Sequence, residues 1–395
     1  MRAQQKWRLE DSINLLPSEN VTSPQVRALL SSDFGHRYTL PINAEYSGEF
    51  LENCYRGTRI TTEIEAAAEK LACEVFQARH ACVQPLSGHI AAMIAIVSVT
   101  KRGGRICSIP VKFGGYDGYE QPYIPDMLGL KASSLSFDVD NFTVNAVRAS
   151  DQIRKSKPNL VILGASFIPF PYEMGPIRDA CEDVESVLAY DGSHVLGLIA
   201  GGAFQRPLEE GARILYGSTH KSFFGPQGGL IVTSDDRIGN SVKENLTWRV
   251  VDNVHWNRVA ALGQALFESK KFGRQYAKQV VKNSKTLGSE LSQRGFPLMF
   301  EGLGFTESHQ LIIDQKGIAS KYGMTMNDFS VRLERSNLIT DSVGRLGTSE
   351  ITRMGMKEKD IPELADLFAE AAEGRTVRKK VRDLRGRFDM DYTLQ

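Results

Sequence analysis

The segment Gly217-Ser218-Thr219-His220-Lys221-Ser222-Phe223-Phe224-Gly225-Pro226-Gln227-Gly228-Gly229 separates two short apolar runs, ILY at 214–216 and LIVT at 230–233. Runs of this length and composition read as buried strands. The segment is therefore a short strand-to-strand connection with Lys221 near its middle. Packing explains such a lysine poorly, because lysine is seldom buried without a partner. A lysine desolvated or set beside other cations has a lowered pKa, and its amine can form Schiff bases. The glycines that follow let backbone pass close to a bound group.

Outward from this segment, short apolar runs alternate with helical patterns. Strands are predicted at 81–84, 105–109, 132–137, 160–164, 186–191, 214–218 and 229–233, with helices at 61–77, 88–100, 145–155 and 176–184. This alternation predicts an α/β domain with a mostly parallel, seven-stranded sheet. Ligands of such sheets sit at the carboxyl ends of the strands. One or two long helices are expected over 254–280. Beyond them lie apolar runs at 311–313 and 338–340 and helices at 326–335 and 362–372, the pattern of a smaller α+β domain. The expected division is an N-terminal arm (1–20) without a core of its own, a large domain (21–280) and a small C-terminal domain (281–395).

The 395 residues carry 48 Lys plus Arg against 47 Asp plus Glu, so no charge excess points to nucleic acid or an anionic membrane. No apolar run approaches the ~20 residues of a membrane span, and the first residues lack a signal-peptide core. The 5 cysteines are scattered without a CxxC pair, which argues against a zinc site or any other metal and for a reduced, cytoplasmic setting.

Three further stretches carry chemistry. In AYDGSHVLGL, an apolar strand ends at Asp191, with His194 just beyond. Taken alone, Asp191 reads as a helix N-cap. In QPLSGH, Ser87 and Gly88 open a helix whose free N–H groups suit a phosphate. In RLGTSEITRMG, Arg345 offers a planar fork to a carboxylate. A Schiff-base lysine, a phosphate cradle and a carboxylate at a strand end together fit pyridoxal 5'-phosphate, whose pyridine nitrogen needs an acid partner.

THKSFFGPQGG, AYDGSHVLGL, LLPSENVTSP and RLGTSEITRMG together resemble the serine hydroxymethyltransferase family, fold-type-I enzymes dependent on pyridoxal phosphate. The resemblance runs from Leu16 to the terminal LRGRFDMDY. It implies Lys221 as the Schiff-base lysine, Asp191 on the pyridine nitrogen, and His194 and His220 beside the cofactor. It also implies Ser87 and Gly88 at the phosphate, His89 and Ser218 among the cofactor-binding residues, and Ser166 near the ring. Arg345 is implied at the substrate carboxylate, with Ser18 and Tyr55 also among the substrate-binding residues. A homodimer with shared active sites follows from the same resemblance.

Several departures bear on the reaction. The family's Tyr-and-Glu stretch is re-spaced here, with Glu45 and Tyr55 as the candidate proton-transfer residues. Tyr116, in FGGY, stands where the family stacks a histidine on the ring. Gln227 replaces the arginine of the family's GPRGG. The family's Gly-Gly before the long helix is missing, and Arg249 lies in that stretch. The pterin-side loop between Leu338 and Arg345 is short. These features predict an aldol-type enzyme that makes or cleaves the Cα–Cβ bond of serine, threonine or a related β-hydroxy amino acid through a glycine quinonoid. They favour a folate-independent aldolase or transaldolase whose second substrate is an aldehyde from a specialised pathway. The alternatives are a one-carbon transfer using folate or a modified pterin, and an aminotransferase, racemase or decarboxylase on the same fold.

Overall fold

The computed structural model describes residues 1–394, and for residues 41–44 and 46 the backbone alone. Its central sheet has seven strands: β1 (His80–Cys82), β2 (Arg105–Ser108), β3 (Lys131–Ser134), β4 (Leu160–Leu163), β5 (Val187–Asp191), β6 (Ile214–Ser218) and β7 (Gly229–Thr233). Their order across the sheet is β1-β7-β6-β5-β4-β2-β3. Neighbours from β6 to β3 pair in parallel. Only β7 runs against its neighbours, β6 and β1. The reason is local: the connection from β6 to β7 is too short for the crossover that a parallel pair demands. The same constraint holds Lys221 at the carboxyl end of β6.

Side chains on alternate faces of the strands enter two different cores. Val161, Leu163, Leu188, Tyr190 and Leu215 join one apolar cluster, and Leu160, Ile162, Ala189, Ile214 and Tyr216 join the other. Both faces are therefore covered, which is why β4, β6 and β7 are buried at every residue. Helices Arg59–Phe76 and Trp256–Gln293 pack on the first face. Helix Gly88–Val99 packs on the second. The chain has the α/β architecture of fold type I.

Beyond the sheet, a separate cluster gathers Leu311, Phe329, Leu338, Leu346 and Phe368 with Leu287 and Leu291 from the end of the long helix. That helix is a single element of 38 residues, so one rod links the two cores. Ile13 and Leu15 belong to this separate cluster, and Ile13–Asn14 pairs in parallel with Leu338–Ile339. The N-terminal segment thus shares its apolar residues with a core built by a distant part of the chain. The hairpin Pro41–Tyr46 with Glu49–Asn53 has no counterpart in the strands expected from sequence. No helix among the described residues is long and apolar enough to cross a membrane.

Candidate active site

The carboxyl ends of the central strands converge on one cavity of about 240 Å³. β5 delivers Asp191, with Ser193 and His194 just past its end; β6 delivers Ser218, His220 and Lys221. The turn after β4 brings Ala165 and Ser166, and the segment after β1 brings Ser87, Gly88 and His89. Tyr116 completes the lining.

Two close approaches shape this floor. A Cβ on Gly88 would lie 2.1 Å from Ser218 Oγ, so any larger residue there would displace that hydroxyl from the cavity wall. A Cβ on Gly164 would lie 2.2 Å from the Asp191 carbonyl oxygen, and its φ of +125° is itself a glycine conformation. Ser87 caps the helix by accepting from the Ile90 N–H at 3.1 Å. The first turn, whose remaining N–H groups lack helical acceptors, opens on the cavity.

Asp191 is held from two sides. Its Oδ1 accepts from the Ser193 N–H at 2.9 Å and its Oδ2 from the Tyr119 hydroxyl at 2.6 Å. The Tyr119 and Tyr216 hydroxyls stand 2.7 Å apart. Tyr119 commits its single proton to Asp191, so Tyr216 is the donor between the tyrosines. Burial, reinforced by the Asp191 charge, holds both hydroxyls well above the usual phenol range and keeps them donors.

Lys221 Nζ lies 3.2 Å from His194 Nε2. Burial, helped by the Arg345 charge and opposed by Asp191, pushes the ammonium pKa down to about 8. His194 is held well below the usual imidazole range by burial first and the nearby Lys221 and Arg345 charges second. His220, whose Nδ1 accepts from the Gly228 N–H at 3.3 Å, is pushed down to about 4 by burial and Lys221. The imidazoles are thus neutral partners of an unusually acidic ammonium. Opposite them, the Tyr116 hydroxyl meets His89 Nδ1 at 2.8 Å. The FGGY turn is fastened to the same site, since the Gly114 carbonyl accepts from the Ser166 N–H at 2.7 Å.

Arg345 stands just behind the lining. Its Nη1 donates to the Ser166 carbonyl at 2.7 Å and its Nε to Asp341 at 2.7 Å, with the guanidinium over the Phe167 ring. Ser18 follows Pro17, which packs on Gly347 of the strand that carries Arg345. Glu45 and Tyr55 are not brought into the cavity of their own chain. Glu45 is exposed on the hairpin, and Tyr55 is exposed with its ring 5.0 Å from that of Tyr38. Arg249 is likewise exposed.

Four residues at the site escape a reading of the sequence. Tyr119, Tyr216, Asp341 and Gln310 act on Asp191, Arg345 and His194 from outside the motifs. Tyr216 and Gln310 each leave a faint trace, as a polar-tipped residue inside an apolar strand. Tyr119 leaves none.

A family profile described as serine hydroxymethyltransferase matches residues 1–368. The serine hydroxymethyltransferase of Methanocaldococcus jannaschii is 37% identical over 404 aligned residues, covering 99% of this chain and 92% of that protein. The serine hydroxymethyltransferase of Methanobrevibacter smithii is 38% identical, covering 95% and 90%. Among solved structures, L-threonine transaldolase from Pseudomonas fluorescens, crystallised in its internal aldimine state, superposes with a TM-score of 0.89 at 25% identity, covering 99% of this chain and 92% of that one. Sheet order, site geometry and end-to-end similarity agree, and the chain belongs to the serine hydroxymethyltransferase family of enzymes.

Proposed function

We propose that this enzyme uses pyridoxal phosphate to make or cleave the Cα–Cβ bond of a β-hydroxy amino acid such as serine or threonine. One observation carries the reading: a buried, acidified lysine amine shares a cavity with a carboxylate fixed at a strand end and a glycine-opened helix start. These residues fit the cofactor. Lys221 supplies the amine that attaches its aldehyde. Ser87 and Gly88 would hold its phosphate, with His89 and Ser218 among the groups contacting the cofactor; Tyr116 would stack on the ring, and Ser166 with His220 would lie beside it. When bound, the cofactor supplies an electron sink for charge developing at Cα.

The protein's own part is positional and electrostatic. Asp191, oriented by the Tyr119 hydroxyl and the Ser193 N–H, would face the pyridine nitrogen and hold its proton. His194 contacts the ring hydroxyl or the substrate. Arg345 binds the substrate carboxylate, with Ser18 at its side, while Asp341 fixes the plane of the guanidinium. Glu45 and Tyr55 serve the second substrate or the proton transfers. We assign them to the neighbouring cavity of a homodimer, because they are exposed and do not line their own.

The re-spaced Glu45–Tyr55 stretch and the short loop before Arg345 favour an aldehyde over tetrahydrofolate as second substrate, as in an aldolase or transaldolase. The likeness to the Pseudomonas fluorescens L-threonine transaldolase supports this reading. The name shared by the archaeal relatives supports a second, one-carbon transfer to folate or a modified pterin. Serine-to-glycine conversion with and without tetrahydrofolate, beside threonine cleavage with and without an added aldehyde, separates the two. Strong folate stimulation of serine turnover sinks the aldehyde reading. Retention of pyridoxamine after mixing with an amino acid would instead mark a transaminase.

A further inference from the structure

Gln310 lies fully buried beside His194, and two backbone groups dictate its orientation. The Ile168 N–H donates to Oε1 at 2.8 Å, and a backbone N–H can only donate. Nε2 donates to the Ser166 carbonyl at 3.1 Å, and a carbonyl can only accept. Flipping the amide would lose both bonds. The other Nε2 proton therefore goes to His194 Nδ1, 3.0 Å away. A ring nitrogen that accepts carries no proton, so the neutral imidazole keeps its one proton on Nε2. That nitrogen faces Lys221 Nζ at 3.2 Å. An Nε2–H can donate there only to the lone pair of an uncharged amine. An ammonium would oppose one N–H with another.

We infer that Gln310 is a positioning residue that fixes the tautomer of His194 and, through it, favours the uncharged, nucleophilic amine of Lys221 over its ammonium. The purpose of this device rests on the pyridoxal-phosphate reading above; its proton count rests on the hydrogen bonds alone. Gln310 comes from the strand Gln310–Ile312 of the smaller unit, so a residue remote in sequence sets the charge of the lysine on the central sheet. The other titratable and charged groups around the pair are Asp191, His220, Arg345 and His309. His309 donates from Nε2 to the Pro17 carbonyl at 3.0 Å and stacks 6.3 Å from His194, and burial pushes it down to about 4. None of these four hydrogen-bonds to Gln310 among the described residues, so a substitution there leaves their charges in place.

The test has two arms on the full chain. In the first, nitrogen NMR of histidine-labelled, cofactor-free protein reads the His194 ring, assigned by its loss in His194→Asn. The expected result is a neutral ring protonated on Nε2; a proton on Nδ1 at neutral pH overturns the inference. In the second, the rate of pyridoxal phosphate capture is followed against pH. Capture needs the uncharged amine, so it should fall as pH drops through about 8 in the wild type. In Gln310→Glu, the carboxylate accepts from Nδ1–H, Nε2 is left bare, and the ammonium gains an acceptor. The amine pKa then rises, and the profile should move up by about one pH unit, roughly tenfold slower capture at neutral pH. Gln310→Leu adds no buried charge and should move it in the same direction by less. Unshifted profiles in both variants overturn the inference. A chain that takes up no pyridoxal phosphate overturns the proposed function instead, and the NMR arm then decides the proton assignment alone.

Discussion

The carboxyl ends of β5 and β6 and the hairpin stretch that ends at Tyr55 differ in how far a single chain completes them. At the strand ends, Asp191, His194 and Lys221 are fixed by hydrogen bonds to neighbouring protein groups and lie largely out of water. Along the hairpin, Glu45 stands exposed, and Tyr55 rests against Tyr38 at the surface. The first region is a preorganised site. The second is a set of exposed polar and aromatic groups, which the proposed function assigns to a site completed by a partner chain. Chemistry at Cα needs a dry, rigid environment, because electrostatic effects are strongest where water is excluded. Recognition of a second substrate needs an entrance, and an entrance shared between two chains can diverge without disturbing the strand ends.

The largest effect should come from Lys221. Lys221→Ala should abolish covalent cofactor attachment and turnover while leaving the thermal midpoint near that of the wild type. The second half follows because a buried ammonium pushed down to about 8 contributes nothing to stability that its removal would forfeit. A retained covalent adduct after Lys221→Ala would break the assignment. The hairpin side is probed by mixing. A heterodimer of Lys221→Ala with Tyr55→Ala pairs one intact Lys221 with one intact Tyr55 in a single cavity if the sites are shared. Activity should return from near zero to about half that of the wild type. No recovery on mixing, with heterodimers shown to form, would confine each site to its own chain.

Arg345 borders the strand-end region through the Ser166 carbonyl. Arg345→Ala should weaken amino-acid binding by about 2–4 kcal/mol with cofactor retained, since a carboxylate loses its charged fork. Arg345→Lys should be nearly as poor, because a point charge cannot reproduce the planar fork. Unchanged glycine affinity in a spectral titration of either variant would remove Arg345 from the substrate side.

The same contrast explains what could be read from sequence. The strand-end residues sit in contiguous motifs, since the Lys221 segment is one tight connection and the Asp191 segment is one strand end. Ser87 and Gly88 are legible as a helix start for the same reason. The sheet is legible because strands buried on both faces are nearly continuous apolar runs. The helix boundary was harder: Trp256–Gln293 continues past 280 because its apolar face exchanges one core for the other without a break. The hairpin escaped notice because its exposed residues, such as Glu49 and Phe50, show no buried face to set a period. Tyr119 and Gln310 act through contacts made by the fold, and nothing beside either in the chain announces its partner. Asp341 lies only four residues before Arg345, but an exposed-loop ion pair is its ordinary reading.

The smallest expected effect falls on the tyrosine pair, and it tests how far the rigidity of the strand ends extends. Tyr119 touches Asp191 directly; Tyr216 acts only through Tyr119. Loss of a hydrogen bond to a charged group costs about 1.5–3 kcal/mol, whereas a neutral one contributes about 0.5–1.5 kcal/mol. Tyr119→Phe should therefore weaken equilibrium cofactor binding by more than tenfold, because Asp191 loses the donor that orients Oδ2. Tyr216→Phe should weaken it only a few-fold, because Tyr119 keeps its proton on Asp191 and loses only the donor behind it. The double variant should resemble Tyr119→Phe alone, since the outer hydroxyl has no route to Asp191 once the inner one is gone. Fluorescence titration of pyridoxal phosphate into the three cofactor-free variants gives the ranking. Equal losses in the two single variants would show that Tyr216 reaches the site by a path other than Tyr119.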